Sequence, residues 1–467
     1  MSRTVPKMNR RVLLAGALGS VAAGTLGRAV AAPLSDLKVA SAIRGSINAQ
    51  ELGVWPGTLD DQSSAFMRML DKAAASGIPV FLPPGDYVIS NIHLPSGIRL
   101  IGSPGATRIL YGGNGYLFAC KDASHIELSG LSIDGANRPL GEHAQALVEM
   151  RRVNALAVDG CVITGSAKSG ITLERCAGAV ERCTISGATD YALYSVEAGH
   201  LRIAANTISD CRNGGILVHR WQPGADGTMV TGNRVERIGA SKSGTGQYGN
   251  GINIFRADNV VVTNNHVANC AFSAIRANSA SNVQIIGNQC LQSGEVAIFC
   301  EFAFEGAVIS SNVVDGAASG ISIANFNDGG RIAVCSGNVI RNIVDRPPYE
   351  PYEDADASFG SGISVEADAT VTGNVIEGAT RFGMSIGWGP FLRNVVATGN
   401  LIRNAGEGIA VSVVEGSGSA LIADNIISGT RRAVVGYRWN DAATGDLASE
   451  HGDHGFKHLR VEKNLVN

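Results

Sequence analysis

The sequence lacks a strong net charge, has few aromatic residues and shows no sustained helical periodicity. Its formal net charge is −3 and aromatic residues make up 6% of the chain. No run of Lys or Arg occurs after the N-terminal segment, so the charge pattern of a nucleic-acid-binding protein is missing. One N-terminal apolar run is short for a membrane-spanning helix, and the sequence offers no other candidate for one. We therefore expect no nucleic-acid partner and no membrane span in the mature protein.

The nine cysteines are an odd number, so they cannot all be paired. Three of them, Cys161, Cys183 and Cys335, fall at regular positions of an internal repeat. We interpret the cysteines as small buried hydrophobic residues. The sequence does not fix any disulfide pairing.

The repeat is a four-residue phrase that reads small residue, Asn, any residue, apolar residue. It occurs with its Asn at Asn206, Asn233, Asn265, Asn288, Asn312, Asn338, Asn374, Asn400, Asn425 and Asn464. Cys161 and Cys183 fill the same position in two earlier copies. Undisturbed spacings run from 22 residues (Cys161 to Cys183) to 26 residues (Asn374 to Asn400). Periods of this length are typical of solenoids, in which each repeat packs only on its neighbours.

Each repeat also carries short β-branched segments bounded by Gly, Asn, Ser and Asp, which predict strands. A leucine-rich consensus is absent. We therefore expect coils of short strands stacked about 4.8 Å apart. An Asn column then has a physical role, because Asn tolerates left-handed backbone angles at a tight turn and its amide can both donate and accept between coils.

This pattern resembles the right-handed parallel β-helix of the pectate-lyase-like superfamily, over roughly residues 50–467. The resemblance implies an all-β solenoid of about 12 coils. Residues 111–467 would form the β-helix, and residues 32–110 an N-terminal capping helix and a first coil. Asp60 or Asp61 would begin that helix, with Phe66 and Met69 on its apolar face and Gly77 at its end.

Residues 1–31 have the features of an export signal. The pair Arg10-Arg11 precedes the apolar run 13–26, and Ala29-Val30-Ala31 provides a small-x-small cleavage site. The arginine pair followed by x-Leu-Leu resembles a twin-arginine translocation signal, although its usual Phe is Leu13 and its frequent Lys is Ala15. An ordinary signal or a membrane anchor is the alternative. We expect a periplasmic or secreted protein that uses the twin-arginine export machinery.

The arginine pair together with the repeat resembles a bacterial family of twin-arginine-translocated repetitive proteins. The resemblance to that family implies no particular activity, because the family has none assigned. Function must therefore be predicted from departures from the repeat. Three insertions lengthen the same corner of the coil, at 135–146, 238–250 and 341–361, and a fourth, 439–457, lengthens a different corner. Insertions in solenoids often flank the binding side.

Beside these insertions runs a strand that begins with a Gly-apolar or Ala-apolar step, and its alternate residues should point outward. The outward positions and the residues just beyond them gather ionisable and aromatic side chains in the middle coils. We predict catalytic roles for His219, Arg276 and Glu301. Predicted substrate-binding residues are Arg220, Trp221, Phe255, Arg256, Asn278, Phe299, Asn325 and Phe326.

Aromatic rings can stack on pyranoses, and Arg pairs with uronate carboxylates, so this pattern favours an acidic polysaccharide as partner. The related lyases and epimerases imply that a cation lowers the pKa of the proton beside the carboxylate and that a base removes it. His219 or Glu301 would be that base. Hydrolases of this fold use paired carboxylates, and no Asp-Asp pair occurs at their spacing. A non-catalytic carbohydrate-binding or cell-envelope scaffold is the alternative.

Two segments raise the question of metal binding. The first holds His451, Asp453, His454 and His458, a spacing that could hold one metal but matches no named motif. The second, 347–356, is acidic and aromatic without the regular glycines of a calcium loop. We assign no metal site and leave the cofactor, including Ca²⁺, open.

Overall fold

The computed structural model describes residues 45–242, 246–346, 359–449 and 455–467. The predicted export signal (1–31), the acidic loop 347–356 and the residues His451, Asp453 and His454 lie outside these residues. No helix in the described part is both long and apolar enough to cross a membrane.

The chain winds through three strand positions per turn, and every strand pairs in parallel with the equivalent strand one turn later, apart from one C-terminal hairpin. Successive Asn positions therefore lie on adjacent coils, as the period predicts. The described strands form a 29-stranded sheet and a 15-stranded sheet. The larger sheet bends and so provides two of the three faces of the coil, because the long strands Phe118–Ser129 and Ala146–Asp159 pair with strands of both faces.

We call the face that follows the Gly-apolar or Ala-apolar step the front face, the face after it the side face, and the smaller sheet the third face. The front face contains Ile92–His93, the first halves of Phe118–Ser129 and Ala146–Asp159, Ser169–Glu174, Tyr191–Val196, Gly214–Ala225, Ile252–Asp258, Ile275–Asn278, Val296–Glu301, Ser319–Ile323, Ser361–Val365, Phe382–Ile386, Glu407–Ser412, Val434–Arg438 and the antiparallel strand Asp441–Asp446.

The side face contains Ile47–Asn48, Val80–Phe81, Arg99–Ile101, the second halves of the two long strands, Gly178–Glu181, Arg202–Ala204, Met229–Thr231, Val261–Thr263, Val283–Ile286, Glu305–Ser310, Arg331–Ser336, Ala367–Thr372, Arg393–Thr398, Ala420–Ala423 and Leu459–Glu462. The third face contains Gly85–Ile89, Thr107–Tyr111, Ser132–Asp134, Val162–Thr164, Thr184–Ser186, Thr207–Ser209, Arg234–Ile238, His266–Cys270, Gln289–Leu291, Val313–Ala317, Val339–Ile343, Val375–Ala379, Leu401–Arg403, Ile426–Ser428 and Leu465–Val466.

The Asn residues form a continuous hydrogen-bonded column, the Asn ladder, at the corner between the side and third faces. The Nδ2 of Asn288 donates to Asn312 Oδ1 and to Val262 O, each at 3.0 Å, and its Oδ1 accepts from the backbone and the side chain of Asn265. Equivalent bonds link Asn206 through Asn464. Because these amides are satisfied by neighbouring coils, they can be buried.

One detail of the sequence interpretation is wrong. The left-handed backbone angle belongs to the residue before the Asn, not to the Asn. Gly232 (φ 65°), Asn264 (φ 56°) and Ser311 (φ 58°) show this, whereas no Asn of the ladder has a positive φ. The turn is made one residue early, so the Asn side chain can point into the corner and bond along the column. This explains why the first position of the phrase is usually small.

The helix Ser63–Ser76 buries Phe66, Met69, Leu70 and Ala73 and contacts the strands Gly85–Ile89 and Ile92–His93. Asp61 accepts a hydrogen bond from Ser63 N at 2.8 Å, and Gly77 ends the helix with φ 67°. Two short 3-10 helices cover Ala49–Leu52 and Phe326–Asp328. The apolar face and the C-terminal Gly77 thus agree with the sequence pattern, whereas the N-cap residue is Gln62 and not Asp60 or Asp61.

All nine cysteines lie in the described residues, and all are buried free thiols. Cys161 and Cys183 occupy the ladder position in adjacent coils. Their thiols donate hydrogen bonds to Leu128 O and Val158 O, respectively, at the same corner. Burial raises the pKa of the Cys176 and Cys211 thiols to about 11, so these groups remain protonated near neutral pH.

Candidate functional site

The predicted outward columns of the front face are confirmed by the strand register. Tyr194 aligns with Leu217, Asn253, Arg276 and Phe299 along one row. Two residues further along the same strands, a second row aligns Val196, His219, Phe255, Asn278 and Glu301. Residues separated by more than 20 positions in sequence are therefore immediate neighbours on the surface of this face.

A cavity of about 560 Å³, which we call the groove, opens over these rows. Insertion 238–250 forms one wall through Gly246, Gln247 and Tyr248. Seven of the predicted site residues line the groove: His219, Arg220, Trp221, Phe255, Arg256, Arg276 and Asn278. The remaining lining residues are Tyr194, Val196 and Asn253.

Arg276 and Glu301 form a buried ion pair at the floor of the groove. Arg276 Nε lies 2.5 Å from Glu301 Oε1, and the two residues are 6% and 3% exposed. Asn278 Nδ2 donates to the same carboxylate oxygen at 2.8 Å, and Arg276 Nη1 donates to Gly246 O at 3.1 Å. The pair therefore joins two coils to the groove wall, and each charge is already matched by a protein partner.

His219 lies in the floor with an unsatisfied imidazole. Its ring packs edge-on between Tyr194 and Phe255, with centroids 5.3 and 5.5 Å away. The residue is 7% exposed, and its Nε2 is buried without a hydrogen-bond partner among the described residues. Burial lowers the pKa of His219 to about 4. The imidazole is therefore neutral above about pH 5.

Exposed rings and a cation border the opening of the groove. Trp221 is 46% exposed, and the guanidinium of Arg175 lies 4.7 Å from its ring centroid. Arg256 lies 4.7 Å from the ring of Phe255 and donates to Trp221 O at 2.7 Å. Among the described residues no carboxylate forms an ion pair with Arg256, which leaves most of its five N–H donors available to a ligand.

Arg220, by contrast, is engaged in fixing the neighbouring backbone. It donates to Glu197 Oε2 at 2.7 Å and to Ala225 O at 2.8 Å. Glu197 also accepts from Trp221 N at 2.8 Å. This ion pair holds the backbone of Trp221 in place, so Arg220 supports the exposed indole rather than presenting a free charge.

Four predicted site residues do not line the groove. Glu301 lies beneath it in the ion pair, and Phe299 lies 5.4 Å from the guanidinium of Arg276. Asn325 accepts from Phe302 N at 3.2 Å, and Phe326 is covered by a guanidinium at 4.4 Å. Asn325 and Phe326 lie on the bend after the strand Ser319–Ile323, which turns them away from the cavity. The groove therefore does not include Asn325 and Phe326, although the sequence pattern grouped them with it.

Tyr194 and Tyr248 line the groove and Glu366 lies outside it on the same face, and the sequence prediction included none of the three. Tyr194 and Glu366 both occupied outward positions that the repeat identified, whereas Tyr248 lies in an insertion whose conformation the repeat does not determine. Glu366 accepts from Phe326 N at 2.6 Å, and desolvation raises the pKa of its carboxyl to about 7. It belongs to the second row, two strands beyond Glu301.

The described residues contain no group of three or more His, Cys, Asp or Glu side chains arranged to hold a metal ion. His458, the one described member of the C-terminal histidine segment, lies with its Nε2 3.3 Å from Ser412 O. Nothing in the groove provides the carboxylate set that Ca²⁺ prefers.

Fold and site together define a parallel β-helix with an aromatic, arginine-bordered groove on one sheet. A family model described as "Right handed beta helix region" matches residues 109–250 and 221–390. These ranges cover more than half of the chain, and the protein belongs to this family. The match also supplies the handedness that the sequence resemblance implied. No curated protein matches the sequence.

Solved structures resemble the chain at low identity. The pre-mature gene product 12 of bacteriophage phi29 is 16% identical with a TM-score of 0.54, over 86% of this chain and 56% of that chain. The catalytic unit of the GH87 alpha-1,3-glucanase from Streptomyces thermodiastaticus strain HF3-3 is 16% identical with a TM-score of 0.46, over 91% and 69%. The A-module of the Azotobacter vinelandii mannuronan C-5 epimerase AlgE4 is 14% identical with a TM-score of 0.32, over 90% and 95%. At these identities the likeness shows the fold alone.

Proposed function

We propose that the groove binds an acidic polysaccharide. The observation that carries this proposal is the composition of one cavity: an exposed Trp221 ring and Arg256, which forms no ion pair among the described residues, border its opening, and a neutral His219 lies in its floor. Ring faces offer stacking surfaces for pyranoses, a guanidinium binds a carboxylate in a bidentate manner, and an unpartnered imidazole can accept from a sugar hydroxyl.

The acidic character of the ligand follows from the local charges. Arg276 and Arg220 are neutralised by Glu301 and Glu197, so neither contributes a free charge. Arg256 has no such partner in the described residues, which leaves one positive charge beside the stacking surface. A uronate residue would match it, whereas a neutral sugar would leave it solvated.

Lyase-type or C5-epimerase-type chemistry is the second candidate, and His219 favours it. With Arg256 neutralising the uronate carboxylate, the imidazole of His219 would accept the C5 proton. A lyase would then break the bond from C4 to the leaving oxygen, which takes up a proton from water, and form a C4–C5 double bond. An epimerase would instead return a proton from water to the opposite face of C5. Arg276 and Glu301 would then hold the groove in shape instead of reacting. A non-catalytic binding scaffold needs the same groove without the proton transfer.

We further infer that residues 1–31 direct export by the twin-arginine pathway to the periplasm or beyond, and that the chain belongs with the twin-arginine-translocated repetitive proteins. The arginine pair and the small-x-small site support this. The helix Ser63–Ser76 would act as the N-terminal cap of about 12 coils, since an uncovered first coil would expose strand edges.

Binding is tested with the purified mature protein against pectin, alginate and neutral polysaccharides, by calorimetry. Arg256→Met should weaken uronate binding about tenfold, which corresponds to about 1.4 kcal/mol, because the carboxylate loses its partner. Arg234→Met, on the third face, is the matched control and should bind as the wild type does. Equal binding of neutral and uronate polymers would overturn the acidic specificity.

Catalysis is tested separately in the same panel. Ultraviolet absorbance of unsaturated ends reports a lyase, and exchange of the C5 proton with deuterated solvent reports an epimerase. His219→Phe should abolish either signal while leaving Arg256-dependent binding in place. Binding without either signal would support the scaffold.

A further inference from the structure

A second aromatic cleft lies on the front face, toward the C-terminus from the groove. It is bordered by Phe382, Ser385, Trp388, Tyr437 and Trp439. Trp388 and Trp439 meet edge-to-face with centroids 5.6 Å apart, and Phe382 and Tyr437 do so at 5.0 Å. Each pair joins two coils that are separated by one intervening coil, and together the pairs form an organised surface.

Trp439 is in an unusual position for a tryptophan. It is the first of two residues that join the antiparallel strands Val434–Arg438 and Asp441–Asp446, where Gly, Asn or Asp is favoured. Its backbone is left-handed (φ 54°), a conformation that costs a bulky residue about 1 kcal/mol or more. The side chain is nevertheless 48% exposed. Core packing therefore does not explain the residue.

The indole of Trp439 is held rigidly from below. Its ring lies over Gly389, where a Cβ would approach ring atoms to 2.3 Å. Tyr437, one edge of the cleft, donates to Glu407 Oε2 at 2.8 Å, and Glu407 is 2% exposed. The enclosed space is only about 20 Å³, too small for a sugar ring. A ring would therefore lie flat on the exposed indole.

The two clefts share one row of the front face. From Arg276 the row continues through Phe299, Ser322 and Ser364 to Ser385. These are four strand spacings, or roughly 19 Å. Because serine side chains are small, the three successive serines leave a shallow surface between the groove and the second cleft. An extended chain can therefore lie along the helix axis and contact the aromatic residues of both clefts.

We propose that the cleft at Trp388 and Trp439 is a second binding subsite for the same acidic polysaccharide, which runs along the axis of the β-helix. This inference rests on the proposed function of the groove. Its consequence is a dependence on ligand length, because a chain that spans both subsites gains from the second contact without a new association step.

The test is a length series of uronate oligosaccharides measured by calorimetry on the wild type and on Trp439→Ala. In the wild type, affinity should rise at least tenfold once the oligosaccharide can span both clefts. Trp439→Ala should remove that rise and leave short oligosaccharides bound within twofold. Trp439→Phe should restore part of it, since a stacking ring returns. Trp55→Ala, another exposed tryptophan far from both clefts, is the control.

The outcomes separate the two proposals. If the wild type binds no uronate of any length, the groove proposal and the subsite both fail. If the wild type binds uronates but Trp439→Ala shows the same length dependence, only the second subsite is overturned. Unchanged thermal unfolding of Trp439→Ala shows that a loss of binding is not a loss of fold.

Discussion

The Asn ladder and the groove belong to the same coils, yet they treat buried polar groups differently. In the ladder, every coil repeats one arrangement, and each amide donates and accepts at about 3 Å. In the groove, no two coils carry the same side chains, and buried polar atoms of His219 and Arg220 have no hydrogen-bond partner within the described residues. The repeated coils satisfy every ladder amide internally, whereas the unrepeated region leaves some buried polar atoms without a protein partner.

Within the groove itself, the same distinction separates the floor from the opening. Arg276 and Glu301 satisfy each other and support the wall, as the ladder supports the corner. Arg256 and Trp221 keep exposed surface and available donors. Charge and aromaticity alone therefore do not identify the residues that contact a ligand. A residue is available to a ligand only where protein partners do not already satisfy its charge and its hydrogen-bonding groups.

The largest effect on stability should come from breaking the ion pair between Arg276 and Glu301 at the floor of the groove. Glu301→Ala leaves the buried guanidinium of Arg276 without its counter-ion, so the free energy of unfolding should fall by about 3–5 kcal/mol. Urea denaturation measures it. The double variant Arg276→Met with Glu301→Leu removes both charges and should recover most of the loss. A loss below about 1 kcal/mol in the single variant would show that Glu301 is not structural.

Breaking the ladder should have the next largest effect. Asn288→Ala removes two donated and two accepted hydrogen bonds at a fully buried position, which should lower the free energy of unfolding by about 3 kcal/mol. Asn464→Ala is the matched control at the partly exposed end of the ladder, and should cost about 1 kcal/mol. Equal losses at the two positions would contradict a role for burial.

The pH dependence of stability tests the unsatisfied imidazole. The folded pKa of His219 is about 4, below the value of about 6.5 expected in the unfolded chain. Its contribution is therefore fully present above pH 6.5 and is lost as the pH falls toward 4, by about 2–3 kcal/mol in total. His219→Phe should flatten that part of the stability curve relative to the wild type. An identical acid limb in both proteins would show that the pKa of His219 is the same in the folded and the unfolded chain.

Much of the fold could be predicted because the regular spacing of the repeat shows which residues are equivalent in successive coils. The spacing from Asn288 to Asn312 placed equivalent residues on adjacent coils, and the Gly-apolar step set the register that brings Asn253 beside Arg276. The sequence interpretation missed the left-handed residue before each Asn. The reason is physical: side-chain bonding along the column, not the turn, is what requires Asn.

Less of the site could be predicted, because the repeat gives rows but not conformations. The rows brought Arg276 near Asn278 and Glu301, yet no pattern showed that they would pair and so neutralise each other. Tyr248 comes from an insertion that follows no period, so its place in the groove wall needed three-dimensional coordinates. The sequence pattern placed Phe326 beside the groove, but the strand Ser319–Ile323 ends before this residue and Phe326 begins a 3-10 helix.

The smallest effect on stability should come from the opening of the groove. Trp221 is 46% exposed, so Trp221→Ala should change the free energy of unfolding by no more than about 0.5 kcal/mol. Uronate binding should nevertheless weaken about tenfold, because the stacking surface is removed. Trp55→Ala removes an equally exposed tryptophan outside the groove and should alter neither quantity. A stability loss as large as that of Asn288→Ala would place Trp221 with the structural residues and would erase the difference between the ladder and the groove opening.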